Sequence, residues 1–456
     1  MQFRHSRLSF ALALAATLPV ACATSGADNE HGPVYAGDAG QDGSTMPEGS
    51  QSSPDSSSPA AETGVDSGTA AGDAAEELTA LDAPDQGEGA AEDAPVEAAS
   101  DAGQPDAAET GTTCTSTMAL LAASSTSLAE AIYGHGQWSS ATTVGSGASA
   151  APVVVPFGTG YLASFVGTGA ANDMPLESLA YTGSWTAPAA IGAALGQGTP
   201  ALASLGTTGH VVYWGSNSKF YHGTYSGSAW DAANDPVEAS GSAQSFGPSA
   251  PAAAATGTTL VVVQSGQDGV LYDQVWSAGS WGAATGHAGS SVISSLSPTI
   301  AAMNGGTAEL MVVFVHAGDA GSYYLQYTTR AAGVWSTPAD VYDQSGAVAY
   351  SSTTPALAAL PGGKAILAWQ GASPAYPYVS TYTPGSGWTS PVPASSDTLA
   401  APPALAPGVC GADAVLAYVK TGGSVAVVTT SGGTWGTPQA IGGATGMQSV
   451  AVASSQ

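Results

Sequence analysis

The sequence predicts an all-β protein, a seven-bladed β-propeller with four-stranded blades, preceded by a disordered acidic linker. Two observations lead to this prediction. A tryptophan returns every 45 to 54 residues from Trp138 to Trp435, and each repeat contains the same order of short pieces rich in Val, Ile, Tyr and Trp. A period in this range is typical of propeller blades. A feature that recurs in every repeat is expected to build the fold rather than to perform one reaction.

Residues 1–22 predict a secretion signal. A basic start at residues 4–7 precedes an apolar run at 8–20 and small residues up to Cys22. The apolar run is shorter than the roughly 20 residues that span a bilayer. No later segment is long and apolar enough to do so, and we therefore expect an exported chain without a membrane-spanning helix.

Residues 18–22, "LPVAC", resemble the lipobox of bacterial lipoproteins, in which the cysteine is acylated and becomes the mature N-terminus. The resemblance implies lipidation of Cys22, membrane attachment only through that anchor, and a place at the outer membrane or cell surface. Pro19 stands where the family prefers an aliphatic residue. Ordinary signal cleavage near "ACA" is the alternative, and it implies an extracellular or periplasmic protein.

Residues 23–113 predict the disordered linker. They are rich in Asp and Glu, contain no Lys or Arg, and have one aromatic residue, Tyr35, in a background of Ala, Gly, Ser and Pro. Such a segment cannot bury enough apolar surface to offset its ordering entropy, and its like charges repel. We expect an extended tether that holds residues 114–456 away from a surface.

The charge of the repeat region excludes several partners. Residues 114–456 hold only four basic side chains, Lys219, Arg330, Lys364 and Lys420, and the whole chain has a formal net charge of −28. Neutralising phosphates requires clustered Lys and Arg. Nucleic acid is therefore excluded as a partner, and anionic membrane surfaces and polyanionic glycans are disfavoured for the same reason.

Each repeat contains four strand-length pieces. After Trp185 the chain gives an outermost strand, "TAPAAIG", and then three strands of the next blade, "TPALASLG", "GHVVYWG" and "KFYHGTYSGSAW". The second strand of each repeat, such as "LVVVQSG", is a continuous apolar run, which is typical of a strand covered on both faces. The Ala-rich first strand suits the crowded positions around the propeller axis.

The two ends of the repeat region supply one blade between them. The residues before Trp138 provide only a second and a third strand, and those after Trp435 provide a fourth strand and then a first strand. Six complete repeats and one shared blade give seven blades. A blade built from both chain ends closes the ring without leaving a free edge.

Cys114 and Cys410 are expected on the same face of neighbouring blades. Cys410 lies between the first and second strands of the sixth complete repeat, and Cys114 lies just before the second strand of the shared blade. Export makes a disulfide between them chemically reasonable. Two free, separately buried thiols are the alternative.

The repeat "LVVVQSGQDGVLYDQVWSAGSW" resembles that of bacterial and fungal β-propeller lectins of the tectonin and PLL type. Those repeats run as a strand, a Gly/Ser-Asp-Gly turn, an aromatic "LY" strand and a closing Trp. The pattern covers residues 114–456, and the turn is recognisable at 215–222, 266–272 and 318–324. The resemblance implies binding of neutral sugars or glycans, without catalysis, in pockets between blades lined by Trp and Tyr.

Aromatic faces stack on the C–H face of a sugar ring, while nearby polar groups fix its hydroxyls. The candidate ligand-binding residues with this chemistry are Trp214, Tyr221, His222, Asp268, Tyr272, Trp276, Phe314, His316, Tyr324 and Trp369. Core packing between blades is the alternative role of each of them. The seven closing tryptophans are assigned to the core.

A sialidase-like or glycosidase-like propeller is the catalytic alternative. The closing turns lack the Asp of the S-x-D-x-G-x-x-W box, and the scattered basic residues cannot form an arginine cluster. Glycoside hydrolysis needs two converging carboxylates. The pairs that are close in sequence are Asp231 and Asp235, Asp268 and Asp273, and Asp340 and Asp343. None of these pairs has another catalytic signal beside it. The sequence also lacks His/Cys clusters with metal-ligand spacing, a P-loop and G-x-S-x-G, so no cofactor or metal is expected.

A surface scaffold or adhesion module is the third class of function. It would bind protein partners through the propeller surface, and an Ala/Gly/Ser-rich propeller on a tether fits this role as well. A glycan array separates it from the lectin hypothesis, because only a lectin is retained by sugars.

Overall fold

The computed structural model describes residues 114–455 apart from 170–173, 216–218, 234, 238–248, 288, 294, 308, 319–322 and 343–346. The predicted signal at 1–22, the predicted lipidation at Cys22 and the predicted linker at 23–113 lie outside the described residues. Every regular element of the described residues is a β-strand. No helix in this part of the chain has the length and hydropathy needed to cross a bilayer.

Seven antiparallel sheets form the blades of a propeller, so the predicted all-β, seven-bladed fold is confirmed. We number the blades I to VII in chain order and call the strands of each blade a to d from the axis outward. Strands a to c pair in sequence within each blade. Strand d pairs with strand c at the outer edge, and in blades III to VII it consists of two short pieces.

Blade VII takes strands b to d from the first described residues: β1 (Met118–Ala123), β2 (Leu128–Gly134), β3 (Gln137–Trp138) and β4 (Thr142–Gly145). Blade I contains β5 (Val153–Phe157), β6 (Gly160–Val166), β7 (Pro175–Tyr181) and β8 (Ala189–Leu195). Blade II contains β9 (Ala201–Leu205), β10 (Thr208–Trp214), β11 (Phe220–Tyr225) and β12 (Asp235–Pro236). Blade III contains β13 (Ala252–Thr256), β14 (Thr259–Ser265), β15 (Leu271–Ser277), β16 (Ser280–Trp281) and β17 (Thr285–Gly286).

Blade IV contains β18 (Thr299–Ala302), β19 (Leu310–Ala317), β20 (Tyr323–Ala331), β21 (Val334–Trp335) and β22 (Ala339–Asp340). Blade V contains β23 (Ala356–Leu360), β24 (Lys364–Gln370), β25 (Pro377–Thr383), β26 (Gly387–Trp388) and β27 (Val392–Pro393). Blade VI contains β28 (Ala404–Pro407), β29 (Ala414–Val419), β30 (Val425–Ser431), β31 (Thr434–Trp435) and β32 (Gln439–Ala440). Strand a of blade VII is β33 (Ser449–Ser454).

The two chain ends close the ring, as the sequence predicts. β33 pairs with β1 from Met118 opposite Ser454 to Ala123 opposite Ser449. Strand a of every blade contacts strand a of the next, which completes a circle. The seven strands surround an axial channel of about 470 Å³ lined mainly by Ala, Val and Leu, so the small residues of strand a do lie around the axis.

Apolar cores fill the interfaces between neighbouring blades. Successive residues of strand b point to opposite faces of a sheet. Val211 accordingly packs between blades I and II, while Val212 packs between blades II and III. Both faces of strand b are covered, which explains its continuous apolar run.

The closing tryptophans hold neighbouring blades together. Each one pairs with strand c of its own blade, as Trp281 pairs with Trp276. Their rings reach the preceding blade, and the Trp230 indole N–H donates to Ser178 Oγ of blade I at 2.8 Å. This placement agrees with the expectation that a residue present in every repeat builds the fold.

A disulfide links the first described residue to blade VI. Cys114 and Cys410 are bonded, with Cα atoms 5.5 Å apart and a sequence separation of 296 residues. Cys410 lies in the turn between β28 and β29, and Cys114 precedes β1 of the neighbouring blade. The bridge therefore fastens the closing blade to blade VI.

Candidate functional site

One pair of side chains recurs in every blade close to the turn between strands b and c. One member of the pair is on strand b and the other is on strand c. The strand-c member lies four residues before the residue that pairs with the closing tryptophan, as Tyr272 lies four residues before Trp276. From blade I to VII the pairs are Phe165 and Glu177, Tyr213 and Tyr221, Gln264 and Tyr272, Phe314 and Gln326, Trp369 and Tyr378, Tyr418 and Ala426, and Ala122 and Ala129. The aromatic members pack toward the preceding blade.

The next residue along strand b faces the following blade, because side chains alternate along a strand. From blade I to VII this residue is Val166, Trp214, Ser265, Val315, Gln370, Val419 and Ala123. Trp214 is the only aromatic side chain among these seven. It is half-buried on the core between blades II and III, where Tyr272 of blade III also packs. We call Trp214, Asp268 and Tyr272 the II–III mouth.

Hydrogen bonds fix the polar side of the II–III mouth. The Tyr272 hydroxyl donates to Asp268 Oδ2 at 2.6 Å, and the Val270 N–H donates to Asp268 Oδ1 at 3.1 Å. The bond from Tyr272 is the main reason why the pKa of Asp268 lies below its usual range, and the same bond raises the pKa of Tyr272. The exposed carboxylate is therefore ionised at neutral pH and held beside an aromatic ring.

Gly266 permits this close arrangement. A Cβ atom at this position would overlap Asp268 Oδ1 and the Tyr272 ring, which both lie against the backbone. The Gly266 N–H donates to the Val270 carbonyl at 2.8 Å and closes the turn. The "SGQDG" turn found in the sequence thus places a carboxylate and a phenol at one end of the interface.

The II–III mouth combines two chemical capacities. The Trp214 and Tyr272 rings offer apolar faces, and the Asp268 carboxylate accepts hydrogen bonds from hydroxyl groups. The indole N–H groups of Trp185, Trp214, Trp281, Trp335 and Trp388 are all buried without a hydrogen-bond partner among the described residues. An unpaired indole is therefore common in this fold and does not by itself distinguish Trp214.

His222 is buried rather than available to a ligand. It is 1% exposed and its Nε2 lies 2.9 Å from Nδ1 of His210, which is 2% exposed. The two rings are stacked, with centroids 5.2 Å apart, and Trp276 and Trp281 of blade III pack against them. The sequence predicts ligand contacts for His222 and Trp276, whereas the structure places both in this separate aromatic cluster toward the other end of the strands.

The two buried histidines are neutral at pH 7. Burial, followed by the neighbouring His210, lowers the pKa of His222 to about 4, and burial lowers the pKa of His210. The nearby Asp231 carboxylate opposes both shifts without reversing them. His210 was missed in the sequence, because its partner is twelve residues away on the paired strand.

The remaining predicted residues are distributed over other interfaces. Tyr221 stacks on Tyr213 with centroids 5.7 Å apart and faces blade I. Phe314 is 1% exposed in the core between blades III and IV, and Trp369 is 3% exposed in the core between blades IV and V. Neither offers a surface to a ligand in this structure. His316 and Tyr324 are paired on blade IV, with ring centroids 4.6 Å apart.

Asp268 and Asp273, the one predicted carboxylate pair whose two side chains are described, do not converge on one site. Asp268 belongs to the side of blade III that faces blade II, whereas Asp273 points toward blade IV and lies 2.8 Å from His287 Nε2. Asp231 accepts hydrogen bonds from Thr224 and from the Ala233 N–H. The side chains of Asp235 and Asp343 lie outside the described set, and no cluster of three or more His, Cys, Asp or Glu suited to a metal occurs within it.

Comparison with known proteins gives structural matches only. No protein-family model matches the chain, and no curated protein matches it in sequence. The BP39L lectin from Burkholderia pseudomallei is 16% identical, with 72% of this chain and 96% of that chain covered and a TM-score of 0.57. At this identity the match supports the propeller fold alone.

Two further solved structures are more distant. The Aleuria aurantia lectin, a six-bladed β-propeller with fucose recognition, is 18% identical, with 61% of this chain and 96% of that chain covered and a TM-score of 0.39. An α-L-arabinanase from Penicillium chrysogenum in complex with arabinobiose is 13% identical, with 59% and 88% covered and a TM-score of 0.43. Both scores are too low to support a functional argument.

Proposed function

We propose that this protein is an exported, non-catalytic carbohydrate-binding β-propeller that binds neutral sugars at the II–III mouth. The observation that carries the proposal is the meeting of Trp214 from blade II with the Tyr272 and Asp268 pair from blade III at one interface. A sugar ring would lie on the exposed part of the Trp214 indole. Its hydroxyls would donate to the Asp268 carboxylate, which Tyr272 and the turn backbone hold in place.

The charge of the mouth supports a neutral ligand. The Asp268 carboxylate is exposed and ionised, and it repels the carboxylate of a sialic or uronic acid. The net charge of −28 adds to that repulsion. Fucose and methylated sugars, which combine an apolar patch with hydroxyls, fit the ring and carboxylate better.

The proposal also includes a surface location. Export through residues 1–22, acylation at Cys22 and the acidic segment 23–113 would place the propeller at the outer membrane or cell surface on a long tether. The parent protein should then partition with membranes, and Cys22→Ser should move it to the soluble fraction. An unchanged distribution of the variant would contradict the lipid anchor and leave an extracellular or periplasmic protein.

Calorimetric titration with neutral monosaccharides, fucose and methylated sugars first, tests the binding. Tyr272→Phe removes the hydroxyl that orients Asp268, and we expect it to weaken binding about tenfold, because a hydrogen bond to a charged group is lost. Tyr378→Phe is the matched control, since Tyr378 holds the same register in blade V. It should leave the affinity unchanged.

The alternatives give different results in the same experiments. A scaffold that binds protein partners would show no heat with any sugar and no signal on a glycan array. A glycosidase would release reducing sugar from the glycan it binds. The opposite orientation of Asp268 and Asp273 argues against the second outcome, because hydrolysis needs both carboxylates at one bond.

A further inference from the structure

The outer part of blade IV gathers exposed tyrosines on one face of its sheet. Tyr324 lies directly opposite His316 on strand b and opposite Tyr350 on the segment that follows the blade. Residues opposite each other in antiparallel strands project to the same side. Tyr350 is 49% exposed, and Tyr324 is half-buried. The sheet thus presents a row of three rings.

A fourth ring and a carboxylate lie beside this row. Asp340 pairs with Gln326, two residues from Tyr324, and therefore projects to the same side. Tyr342, two residues after Asp340, is also 49% exposed, and its hydroxyl donates to Asp340 Oδ2 at 3.0 Å. We call Tyr324, Asp340, Tyr342 and Tyr350 the blade IV platform.

The negative charge of the platform is not neutralised by a basic side chain. Asp340 accepts hydrogen bonds from the neutral groups of Gln326 and Tyr342, at 2.7 and 3.0 Å. Within the described part of the chain no ion pair involves Asp340. Arg330, on the same strand as Tyr324, instead lies 4.0 Å from Glu309. The pKa of Tyr342 is raised, first by its bond to Asp340 and then by the carboxylate charge, which shows that this charge acts on the ring.

We propose that the blade IV platform binds the quaternary ammonium group of a small soluble molecule of the choline type. Aromatic faces attract such a cation through the negative potential above the ring. The Asp340 carboxylate adds a full negative charge. The platform offers a cation ring faces and one carboxylate charge, and a quaternary ammonium, which has no N–H to donate, uses both without needing a further hydrogen-bond acceptor. The proposal does not depend on sugar binding at the II–III mouth.

Choline and 3,3-dimethylbutan-1-ol have the same shape, but only choline is charged. Comparing them therefore distinguishes the contribution of charge to binding from that of shape. Each is titrated into the full-length protein, with binding followed by saturation-transfer NMR of the ligand and by calorimetry. We expect saturable binding of choline and clearly weaker binding of the neutral alcohol. Asp340→Asn should weaken choline binding about five- to tenfold at low salt, and the difference should shrink at high salt because the charge is screened.

Two tyrosines give a matched pair of variants. Tyr342→Ala should weaken choline binding about two- to fivefold, the loss expected for one exposed aromatic partner of a cation. Tyr323→Ala is the control, because Tyr323 is 41% exposed but precedes Tyr324 and faces the opposite side of the sheet. It should leave choline binding unchanged, and so should Trp214→Val at the II–III mouth. Tyr350→Ala provides a second platform variant if Tyr342→Ala does not fold.

Three results would overturn the proposal. They are no saturable choline binding by the folded parent, equal binding of choline and the neutral alcohol, or an equal loss in Tyr323→Ala and Tyr342→Ala. Circular dichroism of each variant establishes that the comparison is made between folded proteins. Loss of choline binding with intact sugar binding, or the reverse, distinguishes this proposal from the proposed lectin function.

Discussion

The interface between blades VI and VII and the one between blades II and III share one framework, but different side chains fill it. At VI–VII, Ala122 and Ala129 of blade VII and Val419 of blade VI are fully enclosed in one apolar core. At II–III the positions of Ala129 and Val419 hold Tyr272 and Trp214, which remain half-buried beside the exposed Asp268 carboxylate, while the position of Ala122 holds the buried Gln264. Small apolar residues seal the first interface, whereas rings and a charge keep the second in contact with solvent.

This difference assigns different tasks to the two interfaces. Blade VII holds the pairing of β1 with β33 that closes the ring, and the disulfide fastens this blade to blade VI. Blades II and III are each built from one stretch of chain, whereas blade VII combines two separate stretches. Side chains at II–III can therefore be suited to ligand binding without disturbing the strand pairing that closes the ring.

Removing the disulfide should lower the free energy of unfolding more than any other change described below. Cys410→Ser frees a loop of 296 residues, and we expect the free energy of unfolding to fall by about 4 kcal/mol, since the unfolded chain regains its entropy. Guanidinium unfolding of parent and variant measures this loss. Sugar binding at II–III should be retained. An unchanged unfolding midpoint would mean that VI–VII does not depend on the bridge for closure.

The buried histidines should make II–III sensitive to acid. The pKa of His222 is lowered to about 4 in the folded protein, so the unfolded state binds more protons between pH 6.5 and 4. Stability is complete above pH 6.5 and falls as the pH drops through this window, by about 3 kcal/mol from His222. His210, whose pKa is also lowered, acts in the same direction.

Variants locate the source of the acid sensitivity. Between pH 7 and 4 the free energy of unfolding should depend less on pH in His222→Gln than in the parent protein. In His135→Gln the free energy of unfolding should change with pH as it does in the parent protein, because His135 is exposed in blade VII. The buried histidines of the described residues are His210, His222 and His287, and all of them lie outside blades VI and VII. An identical slope in the two variants would show that the acid response does not arise at II–III.

Trp214→Val tests whether the Trp214 indole at the II–III mouth binds a sugar. Valine occupies the same position in blades I, IV and VI, as Val166, Val315 and Val419, so the fold should accept it. Losing the indole face should cost about 1–3 kcal/mol of binding, or roughly ten- to hundredfold in affinity for a neutral sugar. Calorimetry gives the affinity and thermal unfolding the stability. A variant that is destabilised but binds as well as the parent would make Trp214 a core residue only.

A surface ion pair should give the smallest effect. Lys420 Nζ lies 3.2 Å from Asp397 Oδ1, with side chains 36% and 27% exposed, at the interface of blades V and VI. Lys420→Met should change the free energy of unfolding by less than about 1 kcal/mol, because water screens the pair. Asp397→Asn should cost more, since Asp397 also accepts from the Tyr418 hydroxyl at 2.7 Å. A larger loss from Lys420→Met, seen by denaturant unfolding, would mean that charges alone can seal an interface.

The fold could be predicted from local patterns because each blade repeats them. The returning tryptophan, the apolar strand b and the incomplete first and last repeats were sufficient for seven blades and their closure. Cys114 and Cys410 could be placed because their repeat positions are known from the same pattern. None of these inferences requires knowledge of which side of a sheet a residue faces.

The site was harder to predict because it depends on side-chain direction and non-local register. Trp214, Asp268 and Tyr272 are close because strand alternation turns Trp214 toward blade III. The same alternation turns His222 into the core, where it meets His210. Tyr342 and Tyr350 join Tyr324 only through pairing across blade IV, which no short motif reveals.

A crystal structure of the protein grown with a methylated fucose would show directly whether a sugar binds at the II–III mouth. We expect one sugar at the II–III mouth, with its C–H face on the Trp214 indole and a hydroxyl within about 3 Å of an Asp268 carboxylate oxygen. The sealed VI–VII interface should be empty. A sugar bound at VI–VII or elsewhere with the II–III mouth vacant would mean that Trp214, Asp268 and Tyr272 do not form the binding site.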